Sequence, residues 1–196
     1  MLFRSALEKS AHRDNTIIVL WGDHGYDVGE KKFAKSALWE QTTRTPLIIH
    51  VPEKLSGAVA PAKAMRCKRP VSLVDLYPTL LDLCGLPPND AIEGRSLAPL
   101  VRNPNKEWPY PAIINHSPGW HGNNHAIRSE RYHYIHYDDG GEELYDAKND
   151  PNQWNNLADD PEHAAAKRAL KKWLPKNAKH FPGSKDGNPR PRPKAK

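Results

Sequence analysis

Asp23 and His24 stand side by side directly after a β-branched apolar run, and Lys35 follows within one short loop. From Thr16 to Pro52 the chain reads TIIVLWGDHGYDVGEKKFAKSALWEQTTRTPLIIHVP. A carboxylate oxygen and a neutral imidazole nitrogen are both ligand types for a divalent cation. A lysine ammonium is a compact point charge that suits a sulfuryl or phosphoryl oxygen. Together these residues would make a metal-plus-anion site. Each also has a plainer explanation. Asp23-His24 could simply cap the next turn, and Lys31, Lys32 and Lys35 could form a solvated basic loop. Lys35 is set apart by its place between Phe33-Ala34 and a segment running into the next apolar run.

The elements that must position these residues follow from the hydrophobic pattern. Thr16–Trp21 is continuously apolar and reads as a strand covered on both faces, as in a parallel α/β sheet. Gly22 breaks it, so Asp23 and His24 fall at its carboxyl end, where ligands bind in open α/β sheets. Leu47–Val51 reads as a second buried strand that Pro52 stops. Ser36–Gln41 reads as a short helical turn between them. Leu2–His12 has the spacing of a short amphipathic helix. Ser72 with Asp75 forms a capping-box pattern ahead of apolar positions Leu73, Leu76, Tyr77, Leu80, Leu81 and Cys84, and Gly85 closes that helix. Cys84 reads as a buried small hydrophobe. Ser96–Val101 reads as a shorter helix.

After Pro111 the pattern changes. Ala112–Asn115, Ala126–Arg128, Tyr132–Tyr137 and Glu143–Tyr145 are short strand-like pieces, and Asp138-Asp139-Gly140-Gly141 is a hairpin turn. Pro161–Leu174 is helical, with apolar positions Ala165, Ala169, Leu170 and Trp173. The back half is therefore a small antiparallel sheet with one helix against it.

Composition narrows the function classes. The chain has 196 residues, a net charge of +6 and 19 prolines, with a mean hydropathy of −0.79. Of that charge, +4 lies in Phe181–Lys196, a Pro-rich basic tail expected to be disordered. The remainder is close to neutral, which argues against a nucleic-acid partner. Cys67 and Cys84 cannot build a disulfide framework or a zinc site. No stretch approaches the roughly 18 apolar residues of a membrane span, and the first residues lack the sustained apolar region of a signal peptide.

The run GDHG…GEK…FAK…LWEQTTRTPLII resembles the C-terminal half of the catalytic domain of a type I sulfatase of the alkaline-phosphatase-like superfamily, in the iduronate-2-sulfatase-like and choline-sulfatase-like branch. VSLVDLYPTLLDLCGLP, EGRSLAPLV, NHAIRSERYHYIHYDDGGEELYD and NDPNQWNNLA agree, in order, over most of Asn15–Trp173. The resemblance implies an α/β fold, here a parallel-sheet remnant plus a small antiparallel sheet with a packed C-terminal helix. It implies three parts: residues 1–110 from the catalytic domain, 111–180 as a small α+β subdomain, and 181–196 as the tail.

By the same resemblance, Asp23 matches a calcium ligand, His24 lies on the metal side, and Lys35 binds the sulfate and helps neutralise the leaving oxygen. His125, in NHAIR, lies where this branch places a substrate-facing histidine; a histidine opening a strand is an equal alternative. Glu40, Arg44, Arg128, Arg131 and Asp146 read as structural braces. The family nucleophile is a formylglycine made from Cys or Ser in C/S-x-P-x-R. No such motif occurs in these 196 residues. The chain is thus expected to supply only part of a sulfatase site for a sulfated small molecule or glycan and to be inactive alone; a natural truncation, a split product with a separate N-terminal half, and a piece of a longer sequence are all compatible with this. A periplasmic or extracellular parent is the corresponding expectation. Two alternatives stay open: a phosphodiesterase or phosphatase of the same superfamily, and a non-catalytic module binding a glycan or partner through Trp108–Tyr137.

Overall fold

The structure, a computed structural model, describes residues 2–31, 35–56, 64–116 and 123–176. The expectations for Lys32, Phe33, Ala34 and the basic tail lie outside the described residues. The chain divides into two compact units. One comprises Met1–Asp23 with Thr45–Trp108, the other His24–Arg44 with Pro109–Lys196. The boundary near 110 falls where the sequence pattern changes, but residues 24–44 cluster with the later unit.

The first unit holds α1 (Leu2–Glu8) and two short strands, β1 (Ile18–Trp21) and β2 (Leu47–His50). These strands pair antiparallel, with Ile18 opposite His50 and Trp21 opposite Leu47, so the parallel remnant expected here is not what forms. A continuous β-branched run encodes burial on both faces and says nothing about strand direction, which explains the difference. Leu20 and Ile48 sit opposite each other and are 53% and 59% exposed.

The chain continues through the short α3 (Glu53–Ser56) to a 3₁₀ turn, Leu73–Asp75. The capping box forms as the sequence predicts. The Ser72 amide donates to Asp75 at 3.0 Å, and the second Asp75 oxygen accepts the Arg95 amide at 2.8 Å. The helix α4 runs Leu76–Leu83. It ends as a Schellman motif: Leu86 N–H reaches Leu81 O, and Gly85 N–H reaches Asp82 O. Gly85 takes φ +65°, which a Cβ disfavours. Cys84 caps the helix just before this reversal and is exposed, not buried. Helix α5 covers Ala98–Arg102. An apolar groove of about 510 Å³ opens between β1 and α4, lined by Val19, Trp21, Val74, Tyr77 and Leu80 among others.

The second unit contains α2 (Glu40–Thr43), slightly later than the sequence places it. It also contains a four-stranded antiparallel sheet of β3 (Ala112–His116), β4 (Asn124–Arg128), β5 (Tyr132–His136) and β6 (Glu142–Asp146), in sequential order. The predicted turn links β5 to β6: Gly140 N–H bonds to Tyr137 O, and Gly140 sits at φ +85°. The final helix is α6 (Ala164–Lys171) after a 3₁₀ turn at Pro161–His163.

Period-2 alternation gives the sheet two apolar faces. Ile127, Tyr134 and Leu144 pack with Ala158 and Leu170 of α6 on one face. Ala126, Ile135 and Tyr145 pack with Leu38 and Trp39 on the other. Leu38 and Trp39 belong to the segment that carries Lys35.

Candidate functional site

Asp23 and His24 follow β1 and are both exposed. The His24 ring places Nδ1 2.7 Å from the Gly25 carbonyl oxygen. A carbonyl only accepts, so Nδ1 carries a proton. Gly25 is required next to it. A Cβ there would lie 2.1 Å from Gln41 O and 2.8 Å from Arg44 O. Its amide donates to Thr42 O at 2.9 Å. The segment therefore begins pressed against the C-terminal end of α2.

The next turn is closed by Asp27, which is buried. Its Oδ1 accepts the amides of Gly29 at 2.9 Å and Lys31 at 3.1 Å. Burial pushes this carboxyl up, and the backbone hydrogen bonds outweigh it, holding its pKa below the ordinary value. Lys31 then turns inward. Its Nζ donates to the Gln153 carbonyl and lies 5.0 Å from the Trp39 ring centre and 5.2 Å from that of Tyr145. Burial lowers its pKa. Beneath it, the Glu143 carboxylate accepts the Trp39 indole N–H at 2.8 Å and the Tyr137 and Tyr145 hydroxyls at 3.0 and 2.8 Å. Lys35, by contrast, is exposed. Of the two described loop lysines, one is consumed by packing and one is presented to solvent.

The segment returns to the sheet at Glu40. Arg128 Nε donates to Glu40 Oε2 at 2.6 Å, and Arg128 Nη2 to Oε1 at 3.3 Å. His133 lies 3.6 Å from the same carboxylate. Burial alone would raise the Glu40 pKa, but the charged Arg128 fork outweighs it and holds it well below the ordinary value. Arg44, paired with Glu40 by sequence, is 3.8 Å away and largely exposed, so Arg128 is the principal partner. Arg131 and Asp146 form the other expected brace, with Nη2 to Oδ2 at 2.8 Å.

His125 lies on β4 and is buried, with Nδ1 2.7 Å from Asn115 Oδ1 on the paired strand. Burial pushes its pKa down, with His136 adding to the shift. Alternation puts it on the Ile127 side of the sheet, the side that packs on α6, whereas Leu38 and Trp39 lie on the Ala126 side. This geometry favours the plainer explanation, a histidine packed into a strand.

The residues fit calcium in part. Asp23 is an oxygen ligand of the kind calcium takes, but calcium takes about 6–8 oxygens and imidazole suits other metals better. Among the described residues no group of three or more His, Cys, Asp or Glu side chains could share a metal. The donor set described is therefore incomplete for this ion. What the sequence did not reveal is the anchoring set: Lys31, Trp39, Glu143, Tyr145, His133 and Gln153. The bonds that tie Lys31, Trp39 and Glu40 to this set span 104 to 122 residues of sequence, beyond the reach of any local pattern.

Residues 22–180 match the family model for the C-terminal region of N-sulphoglucosamine sulphohydrolase. A sulfatase of Formosa agariphila is 42% identical over 173 residues, covering 87% of this chain and 32% of that protein. An N-acetylglucosamine-6-O-sulfatase of Bacteroides thetaiotaomicron is 34% identical over 194 residues, covering 93% of this chain and 33% of its own length. The fold matches a solved structure of a protein in complex with its substrate D-glucosamine-2-N,6-O-disulfate. That match has a TM-score of 0.69 and 30% identity, over 87% of this chain and 35% of the other. The chain spans about a third of the length of these curated relatives. The family model spans most of the sequence, and the chain belongs to the C-terminal family of N-sulphoglucosamine sulphohydrolase-type sulfatases.

Proposed function

We propose that this chain supplies the sulfate-recognition part of a sulfatase acting on O-sulfate esters of glycan sugars. The observation that carries the reading is the contrast between Lys31, held inward, and Lys35, four residues on and exposed, on a loop anchored at both ends. Lys35 binds a sulfate oxygen and neutralises charge that develops on the departing sugar oxygen. Asp23 serves as one oxygen ligand of a calcium ion whose other ligands come from outside the described residues, and His24 faces the same ion with its Nε2 lone pair. Calcium, when bound, would supply charge to the sulfate group. The nucleophile, a formylglycine by family resemblance, comes from polypeptide outside these 196 residues, because they contain no C/S-x-P-x-R. The sugar-sulfate substrate class rests on the two similar proteins whose own substrates are sulfated glucosamines.

The test is to fuse this chain behind the preceding two thirds of the Formosa agariphila sulfatase and measure inorganic sulfate release from N-acetylglucosamine-6-sulfate. The fusion is expected to turn over, and Lys35→Ala to lower kcat/KM by about 100-fold. The purified chain alone is expected to be inactive. Turnover by the chain alone, or a Lys35→Ala fusion within twofold of its parent, would overturn the reading. Preference for phosphate over sulfate esters would redirect it to phosphoryl transfer.

A further inference from the structure

We infer that Gln153 is a positioning residue that clamps both ends of the loop presenting Lys35. The inference rests on the proposed role of Lys35 only for its functional meaning; the clamp itself is a matter of geometry. Gln153 lies after β6 and is wholly buried. It uses three polar groups on three partners. Its carbonyl accepts the Lys31 ammonium. Its side-chain Oε1 accepts the Glu40 amide at 2.7 Å. Its Nε2 lies 2.7 Å from His133 Nδ1. Lys31 and Glu40 flank Lys35 on either side, so one residue holds the chain both before and after Lys35.

The hydrogen-bond polarity is determined by this arrangement. The Glu40 amide can only donate, so the atom facing it is the Gln153 oxygen. The Gln153 NH₂ then faces His133 and must donate to a bare Nδ1. His133 is therefore neutral with its proton on Nε2, consistent with burial pushing its pKa down. That Nε2 is buried without a hydrogen-bond partner among the described residues. Gln153 itself adopts φ +58°, a left-handed conformation that a residue with a Cβ rarely takes. One unfavourable feature thus lies at Gln153 itself and the other at its partner His133. A position under no such constraint would relax both.

Only a few side chains can replace this function. Methionine has similar length but neither accepts the Glu40 amide nor donates to His133. Glutamate can accept the Glu40 amide, but its other oxygen faces the His133 lone pair, so His133 must take a proton on Nδ1 to bond to it. This gives a conservative variant with a spectroscopic signature.

The experiment is amide hydrogen exchange by NMR on the full chain, comparing wild type, Gln153→Met and Gln153→Glu. In Gln153→Met the amides of Lys35 to Glu40 are expected to exchange at least tenfold faster, while those of Tyr134 and Leu144 stay within twofold. Gln153→Glu is expected to restore Glu40 protection and to move the His133 ring nitrogens to the shifts of an imidazolium. If Gln153→Met is not folded, Lys31→Met serves instead, with faster exchange expected on the Lys35 to Leu38 side. Unchanged loop exchange would overturn the clamp. So would a rise shared equally by loop and sheet, or a Gln153→Glu variant whose His133 stays neutral while Glu40 remains protected. Titration of the wild type with inorganic sulfate, read at Lys35, tests the anion role separately and leaves the exchange result independent of it.

Discussion

The two sheets of this protein are built from similar residues and end in different states. In the second unit Ile127, Tyr134, Ile135 and Leu144 are fully buried, with apolar partners on both faces. In the first unit Leu20, Trp21 and Ile48 are each more than half exposed, and an apolar groove runs beside β1. Their titrating groups differ in the same way. In the first unit, among the described residues, the resolved shifts are those of the exposed Arg13–Asp14 pair. The second unit holds the half-buried Glu40 and the buried His125, His133 and Tyr145, all shifted. One sheet is a finished core wired through polar contacts to its loop. The other has the composition of a core strand and the exposure of a surface.

The sharpest way to break this comparison is truncation on each sheet. Tyr134→Ala is expected to destabilise the second unit by about 3–5 kcal/mol, through lost burial and the cavity left behind. Leu20→Ala is expected to cost less than about 0.5 kcal/mol, as an exposed position does. Urea unfolding of the two variants measures both. Equal costs would mean that Leu20 is covered in solution.

Arg128→Ala comes next, at about 2–3 kcal/mol. It leaves Glu40 without its main counter-charge, and both side chains keep some solvent contact, which places the cost at the low end for a broken buried pair. The same change at Arg13 is expected to be undetectable within the error of a urea titration.

Acid sharpens the contrast further. The pKa of His133 is lowered from the ordinary 6.5, so its contribution to stability is fully present above that pH and declines as pH falls below it. Glu40 and Glu142 are held at about 2 against an ordinary 4.5. For both, burial raises the pKa but is outweighed: at Glu142 by Lys171, Tyr134 and Lys167, at Glu40 by the Arg128 fork. Their contribution is present above 4.5 and is lost as pH falls toward 2. The better-buried unit is therefore expected to melt first on acidification. Hydrogen exchange at successive pH values, followed separately at Leu144 and Ile49, checks the order.

A further effect, modest in size, concerns a turn. Gly85→Ala, at φ +65° with open space around the missing Cβ, is expected to cost about 1 kcal/mol. Gly25→Ala at the candidate site should cost more, because there a methyl meets backbone.

Much of the fold was legible because it is local. The capping box at Ser72 and Asp75, the Gly85 stop, the Asp138–Gly141 hairpin and all four strands of the second sheet follow from spacing and turn chemistry. The direction of β1 against β2 was not legible, since side-chain burial carries no information about strand polarity. Cys84 misled because its helical register looked apolar, while the helix ends one residue before it. At the site, Asp23, His24 and Lys35 were visible as a motif, and Glu40 and Arg128 as braces. Gln153 looked like an ordinary polar loop residue. Its role depends on bonds to Lys31 and Glu40 across more than a hundred residues and on a backbone angle, neither of which a sequence pattern encodes.

The exposure of Cys84 at the helix cap has a practical side. Cys67 is exposed as well, and both thiols lie in the first unit, with no cysteine elsewhere in the chain. The protein thus carries native attachment points for a dye or spin label on one unit only. A label at Cys84 sits at the end of α4, the helix that borders the apolar groove. With Cys67 replaced, such a label would sit close enough to the groove to sense a partner that covers it.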